Sequence, residues 1–124
     1  MKWSFDNNMP IYSQIIEQMR LFIVSGEIKA GDRLPAVREL ASEAGVNPNT
    51  MQRALSELER TELIYSNRTS GRFVTENRDV IENARLELAE KSIDSFIKEM
   101  QILGYSKKDI VTVIDNYKGD ETDG

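Results

Sequence analysis

The stretch LPAVRELASEAGVNPNTMQRALSEL, Leu34–Leu58, decides the fold. It predicts two short amphipathic helices joined by a tight turn. The first runs from about Ala36 to Ala44, with Val37, Leu40, Ala41 and Ala44 at helical spacing on one face. Gly45 follows, a residue type that ends helices in the left-handed conformation without a Cβ penalty. Val46 is apolar and suits the corner between the helices. Asn47 is a good N-cap and Pro48 a good first helical residue, because the missing N–H has no helical partner there. The second helix, Pro48–Arg60, turns Met51, Leu55 and Leu58 inward and leaves Asn49, Gln52, Arg53, Ser56 and Arg60 outward. Amides, a hydroxyl and an arginine on an exposed helix face match the edges of bases in a DNA major groove. The pattern reads as a helix-turn-helix. On this segment alone, a helical hairpin with a solvated polar face is the alternative.

The next residues favour the first reading. Leu63-Ile64-Tyr65-Ser66 is a short β-prone run, Asn67-Arg68-Thr69-Ser70-Gly71 supplies turn residues, and Arg72-Phe73-Val74-Thr75 is β-prone again. A recognition helix followed at once by a hairpin with a basic tip is a winged helix-turn-helix. Arg68 and Arg72 flank that tip, placed to reach phosphates or the minor groove.

Composition narrows the function. Hydrophobic residues make up 40% and charged residues 30% of the 124 positions, as in ordinary soluble proteins, enough for one compact domain and a small appendage. No apolar run approaches the roughly 20 residues that span a bilayer, and no signal peptide precedes Trp3. There is no cysteine, which matches a cytoplasmic setting. There is also no histidine, so the commonest general base and metal ligand is missing. No phosphate-cradling glycine loop or acidic calcium loop replaces it. These features argue against an enzyme, and no metal or cofactor is expected.

The net charge of −5 is unevenly spread. Residues 1–75 hold 9 basic and 9 acidic side chains, and residues 76–124 hold 7 and 12. Seven of the nine arginines precede residue 76, and five of the seven lysines follow it. Arginine suits bidentate contacts to bases and phosphates. A neutral DNA-binding region with a local basic face followed by an acidic remainder is therefore expected.

Met1–Met9 reads as an extended arm with Trp3 and Phe5 turned to a buried side. Pro10 opens a first helix through about Ser25, striped by Ile11, Ile15, Met19, Phe22 and Ile23 and closed by Gly26. Residues 28–34 read as a short strand and turn. Tyr12 is expected to pack against the recognition-helix domain, and Met19, Met51 and Met100 to fill apolar space. From about Arg78 the pattern changes. Asp79 is placed to cap a long helix to about Leu103, ended by Gly104. Ser106 to Asp109 resembles a capping box before a last helix. Their apolar residues Leu88, Ile93, Phe96, Ile97, Met100, Ile110, Val113, Ile114 and Tyr117 exceed what two helices hide from each other, so a dimer contact is expected.

Several spaced motifs resemble the N-terminal domain of the GntR family of bacterial transcription regulators. They are Pro10-Ile11-Tyr12, the run from Gly31 to Ala41, the run from Val46 to Leu55, and the wing ending Gly71-Arg72-Phe73-Val74. The match covers about residues 10–76. The short remainder resembles the YtrA-like subfamily, whose members dimerise through a two-helix extension and often repress transporter genes. The wing departs from the family's Gly-x-Gly, with Thr69-Ser70-Gly71 in its place. The resemblance implies that Arg38 contacts DNA and that Asn47, Asn49, Thr50 and Gln52 meet bases or flanking phosphates. It adds Ser70 and Gly71 to the wing contacts. Arg53 is read as a phosphate contact, and Asn47 also as a helix cap.

The expected class is α+β, with residues 1–76 a winged helix-turn-helix, 77–118 a helical dimerisation extension, and 119–124 a disordered tail. The expected function is a sequence-specific, homodimeric DNA-binding regulator, a cytoplasmic repressor of a transporter-type operon acting on a palindromic operator. Two alternatives remain: a regulator with a small-molecule effector between the C-terminal helices, and a winged helix used for protein interaction. The second would lack the basic face formed by Arg38, Arg53, Arg68 and Arg72.

Overall fold

The computed structural model describes residues 1–119, which fold as two compact units, 1–86 and 87 onward. In the first unit, α1 (Ile11–Val24), α2 (Val37–Ala44) and α3 (Pro48–Arg60) precede a hairpin of β1 (Ile64–Asn67) and β2 (Gly71–Val74). Helix α3 is the centre, packed on α1, α2 and β1. It buries Met51, Ala54, Leu55 and Leu58, the full i, i+3, i+4, i+7 set, of which Ala54 completes the three residues expected. They meet Ile15 and Met19 of α1, Leu40 of α2, and Leu63, Ile64 and Val74 of the hairpin region in one core. Each such side chain contributes about 1.5–3 kcal/mol when fully removed from water.

The turn between α2 and α3 is built as its residues dictate. Gly45 sits at φ +73°, and the N–H of Val46 donates to the Ala41 carbonyl at 3.0 Å. Asn47 then caps α3.

The hairpin differs from expectation by one residue at each strand start. Glu62, at φ +67°, turns the chain out of α3, and the N–H of Leu63 still donates to the Leu58 carbonyl at 3.0 Å. Leu63 is thus consumed in closing the helix, and β1 starts at Ile64, paired with Val74. The strand expected over residues 28–34 is reduced to a single bridge, Arg33 to Phe73. Gly31 at φ +83° and the turn bond from the Asp32 N–H to the Lys29 carbonyl bend this segment, and Pro35 has no N–H with which to continue a ladder. The sheet is therefore two-stranded.

The N-terminal arm packs against α1. Trp3 stacks on Phe5 and meets the Phe22 ring edge-on at 5.1 Å between centroids. The side-chain amides of Gln14 and Gln18 stand in for a neighbouring strand. Gln18 accepts from the Ser4 N–H at 3.0 Å and donates to the Ser4 carbonyl at 2.8 Å, and Gln14 does the same for Asp6 at 2.8 Å each.

Helix α4 (Arg78–Ile102) starts in the first unit. Asn77, rather than the expected Asp79, caps it, because the Asn77 side chain accepts from the Asp79 N–H at 3.0 Å. Ala84 is buried, and Arg85 donates to the last carbonyl of α1, that of Val24, at 2.8 Å. The division between units accordingly falls within α4.

In the second unit, Gly104 at φ +99° ends α4 and α5 (Lys107–Asn116) follows. The capping box is present: Ser106 accepts from the Asp109 N–H at 3.1 Å, and the Asp109 carboxylate accepts from the Ser106 N–H at 3.0 Å. Hydrogen bonding to its carboxylate, from the Ser106 N–H first and the Ser106 hydroxyl second, holds the Asp109 carboxyl below its ordinary range. No described helix is long and apolar enough to cross a membrane. Apart from Gly119, the tail expected at 119–124 lies outside the described residues.

Candidate nucleic-acid interface

The outward face of α3 begins with a cap that fixes its own first turn. Asn47 accepts from the Asn49 N–H at 2.7 Å through its side-chain oxygen. That leaves the Asn47 amide nitrogen and the whole Asn49 amide at the surface. Thr50 is half-buried one position on. Gln52 is exposed and holds only a long bond to the Ser56 hydroxyl, 3.3 Å, one that is readily exchanged for a better partner.

Arg53 lies over the ring of Tyr12, with the guanidinium carbon 4.6 Å from the centroid. The ring face holds the cation without neutralising it, as a carboxylate would. Tyr12, expected to pack against the recognition-helix domain, meets α3 here, and what the sequence did not indicate is the pairing with Arg53. The positions of Tyr12 and Arg53 far apart in the chain carry no local signal of it.

Two other arginines are engaged. Arg60 forms a two-pronged pair with Glu57, 2.9 Å from Nε and 2.6 Å from Nη2, which is the chief reason the Glu57 carboxyl lies below its ordinary range. Arg72, expected as a phosphate contact, donates from Nε to Glu59 at 2.7 Å. The Ser66 hydroxyl donates to the same carboxylate oxygen. Burial pushes the Glu59 carboxyl up, but the bonds from Ser66 and Arg72 outweigh it and hold the group below its ordinary value. Ser66 and Arg72 are direct cross-strand partners, so Glu59 ties both strands of the wing to α3. Sequence reasoning missed Glu59; only the strand register, which puts Ser66 opposite Arg72, points to it.

The wing tip is set by Asn67, whose side-chain oxygen accepts from the N–H and hydroxyl of Thr69, both at 3.1 Å. Arg68 is exposed at this tip, Ser70 is half-buried, and Gly71 takes φ +103°. Arg38 is exposed on α2. Among the described residues, Arg38, Arg53 and Arg68 have no carboxylate partner. Exposed guanidiniums without a carboxylate partner and exposed amides have the chemistry to hold phosphate oxygens and to donate to base edges.

The nine apolar residues of the expected dimer contact divide. Ile93, Phe96, Val113, Ile114 and Tyr117 are exposed, with Phe96 at 38% and Ile114 at 54%. Leu88, Ile97 and Met100 are half-buried. Ile110 is 3% exposed and already inside the single chain, so it offers no surface to a partner. Ile102 and Leu103, at 87% and 71%, are the largest apolar exposures beside them.

Comparison with known proteins places the fold in a family. Residues 11–74 match the family model described as bacterial regulatory proteins, gntR family. The HTH-type transcriptional regulator YhcF of Bacillus subtilis is 35% identical over 113 residues, 91% of this chain and 93% of that protein. The HTH-type transcriptional repressor YtrA of Bacillus subtilis is 46% identical over 71 residues, 57% of this chain and 55% of its own length. Among solved structures, a GntR family transcriptional regulator from Listeria monocytogenes superposes with a TM-score of 0.82 at 42% identity, covering 92% of this chain and all of that one. The DNA-binding domain of AraR, solved in complex with operator ORX1, superposes with a TM-score of 0.54 at 29% identity, covering 60% of this chain and 96% of that one.

Proposed function

Since this chain belongs to the GntR family of bacterial regulatory proteins and is a transcription regulator with a winged helix-turn-helix DNA-binding domain, we propose that it acts as a homodimeric repressor on a palindromic operator. The observation that carries the proposal is the outward face of α3. Asn49, Gln52 and Arg53 stand exposed on a helix whose other face is locked into the core. Asn49 and Gln52 read base edges, and Arg38, Arg53 and Arg68 hold the flanking phosphates. Asn47 contributes its amide beside the cap, and Thr50, Ser70 and Gly71 line the approach of the backbone. Arg72 holds the wing to α3 through its Nε bond to Glu59, and its terminal nitrogens are left for a phosphate.

Dimerisation through the second unit is supported by the exposed apolar residues Ile93, Phe96 and Ile114, which water penalises in a lone chain. Two copies related by a two-fold axis present two recognition helices to two half-sites. Repression is supported by the likeness to the repressor YtrA, and the resemblance to the YtrA-like group extends the proposal to a transporter-type operon. The test is selection of duplexes from a random pool by the full chain, followed by Asn49→Ala and Gln52→Ala. Each is expected to weaken binding to the selected duplex by about 1–3 kcal/mol and to spare a random duplex. Equal losses on both, or selected sequences without two-fold symmetry, would overturn base reading by a dimer.

A further inference from the structure

We propose that Arg33 is an additional phosphate-binding residue of the interface, holding the DNA backbone beside the turn end of the wing, where the charge of Arg72 is already paired with Glu59. The inference rests on the DNA-binding reading above. A groove of about 290 Å³ opens between the wing and the start of α2, lined by Arg33, Pro35, Ala36, Gly71 and Arg72 among others. Two guanidiniums therefore border one groove, and they differ in state. Arg72 gives its Nε to Glu59 at 2.7 Å. Arg33 is exposed and has no carboxylate partner among the described residues.

The wing makes room for the Arg33 side chain. A Cβ added at Gly71 would lie 3.4 Å from Arg33 Nε and 3.7 Å from Nη2, and Gly71 itself is at φ +103°. The backbone turn favours glycine, and the guanidinium runs past it at van der Waals distance. The main chain of Arg33 is fixed as well, because the residue bridges Phe73. The Leu34 N–H donates to the Arg72 carbonyl at 2.8 Å, and the Val74 N–H donates to the Asp32 carbonyl at 2.9 Å. An arginine anchored to the wing, uncompensated and beside a groove meets a phosphodiester with little further ordering, through the planar fork that suits phosphate oxygens.

The experiment is a salt titration of binding by fluorescence anisotropy, using the full chain, one duplex selected by the wild-type protein and one random duplex. Arg33→Ala is expected to weaken binding to both duplexes and to lower the slope of log affinity against log salt by about one. Arg33→Lys is expected to keep the wild-type slope, and thermal melting of each variant checks that the fold is retained. An unchanged slope in Arg33→Ala, with the wild type still bound, removes Arg33 from the interface and leaves the DNA-binding reading intact. A loss confined to the selected duplex overturns the phosphate role in favour of base reading. Failure of the wild type to bind any duplex overturns the reading on which the inference rests.

Discussion

Glu59 is the carboxylate through which the recognition helix holds the wing, and Glu59→Gln tests that role quantitatively. The group accepts from Arg72 Nε at 2.7 Å and from the Ser66 hydroxyl. A hydrogen bond to a charged group contributes about 1.5–3 kcal/mol when water is excluded. Here the side chains of Arg72 and Glu59 are 21% and 30% exposed, so screening reduces the contribution of the charge to about 1 kcal/mol. Glutamine keeps the shape and one acceptor but loses the charge. The expected loss is therefore about 1 kcal/mol at neutral pH, a fall in Tm of roughly 4–8 °C for a domain of this size.

The pH dependence has a definite sign. The Glu59 carboxyl is held below its ordinary value in the folded protein. Its stabilisation is then fully present above the unfolded carboxyl pKa of about 4.3, and is lost as pH falls through the lower folded value. Urea denaturation followed by circular dichroism, at one protein concentration, should show the full difference between wild type and Glu59→Gln at pH 7. That difference should shrink toward zero below about pH 4. The same difference at pH 7 and pH 3, or none at pH 7, would refute a charge-based tether.

Further outcomes are expected. Arg68→Ala should weaken binding to selected and random duplexes alike and lower the salt slope by about one, since the side chain stands exposed at the wing tip. A chain ending at Leu86 should sediment as a folded monomer, because Ala84 and the Arg85 bond to Val24 stay with the first unit. In the full chain, Phe96→Asp should dissociate the proposed dimer, and sedimentation of either variant as a dimer would exclude the second unit as its contact. Gly45→Ala should cost about 1–2 kcal/mol in denaturant unfolding: the backbone sits at φ +73° and nothing lies within 4 Å of the added carbon, so the whole cost is conformational.

Much of this architecture was legible because helix ends are written in local chemistry. Asn47-Pro48 and Ser106 to Asp109 act within three or four residues of themselves, so their outcome depends little on the rest of the chain. The stripe Met51, Leu55, Leu58 likewise identifies the inward face of α3 from spacing alone. The misreadings have local causes too, one level further out. Leu63 has the β-propensity of a strand residue, yet the left-handed turn at Glu62 commits its N–H to closing the helix. Asn77 takes the cap from Asp79 because one side-chain oxygen two residues upstream meets the N–H first.

The candidate interface was less legible than the fold. The exposed amides Asn49 and Gln52 follow from which face of α3 is apolar, and that is periodic. The state of each arginine is not periodic. Arg53 rests on Tyr12, Arg72 on Glu59 and Arg85 on Val24, and each partner lies on another element. Ile110 and Ile114 occupy the same helical stripe in the sequence, yet one is buried and the other exposed. By itself the sequence determined the winged helix-turn-helix, the bounds of its helices and the polar face of α3, because these depend on neighbours a few positions away. Tertiary structure alone decided which guanidiniums remain free, that Glu59 anchors the wing and that Arg33 lies along Gly71. Whether a charge is compensated depends on which groups come within a few ångströms through space, and no local pattern encodes that distance.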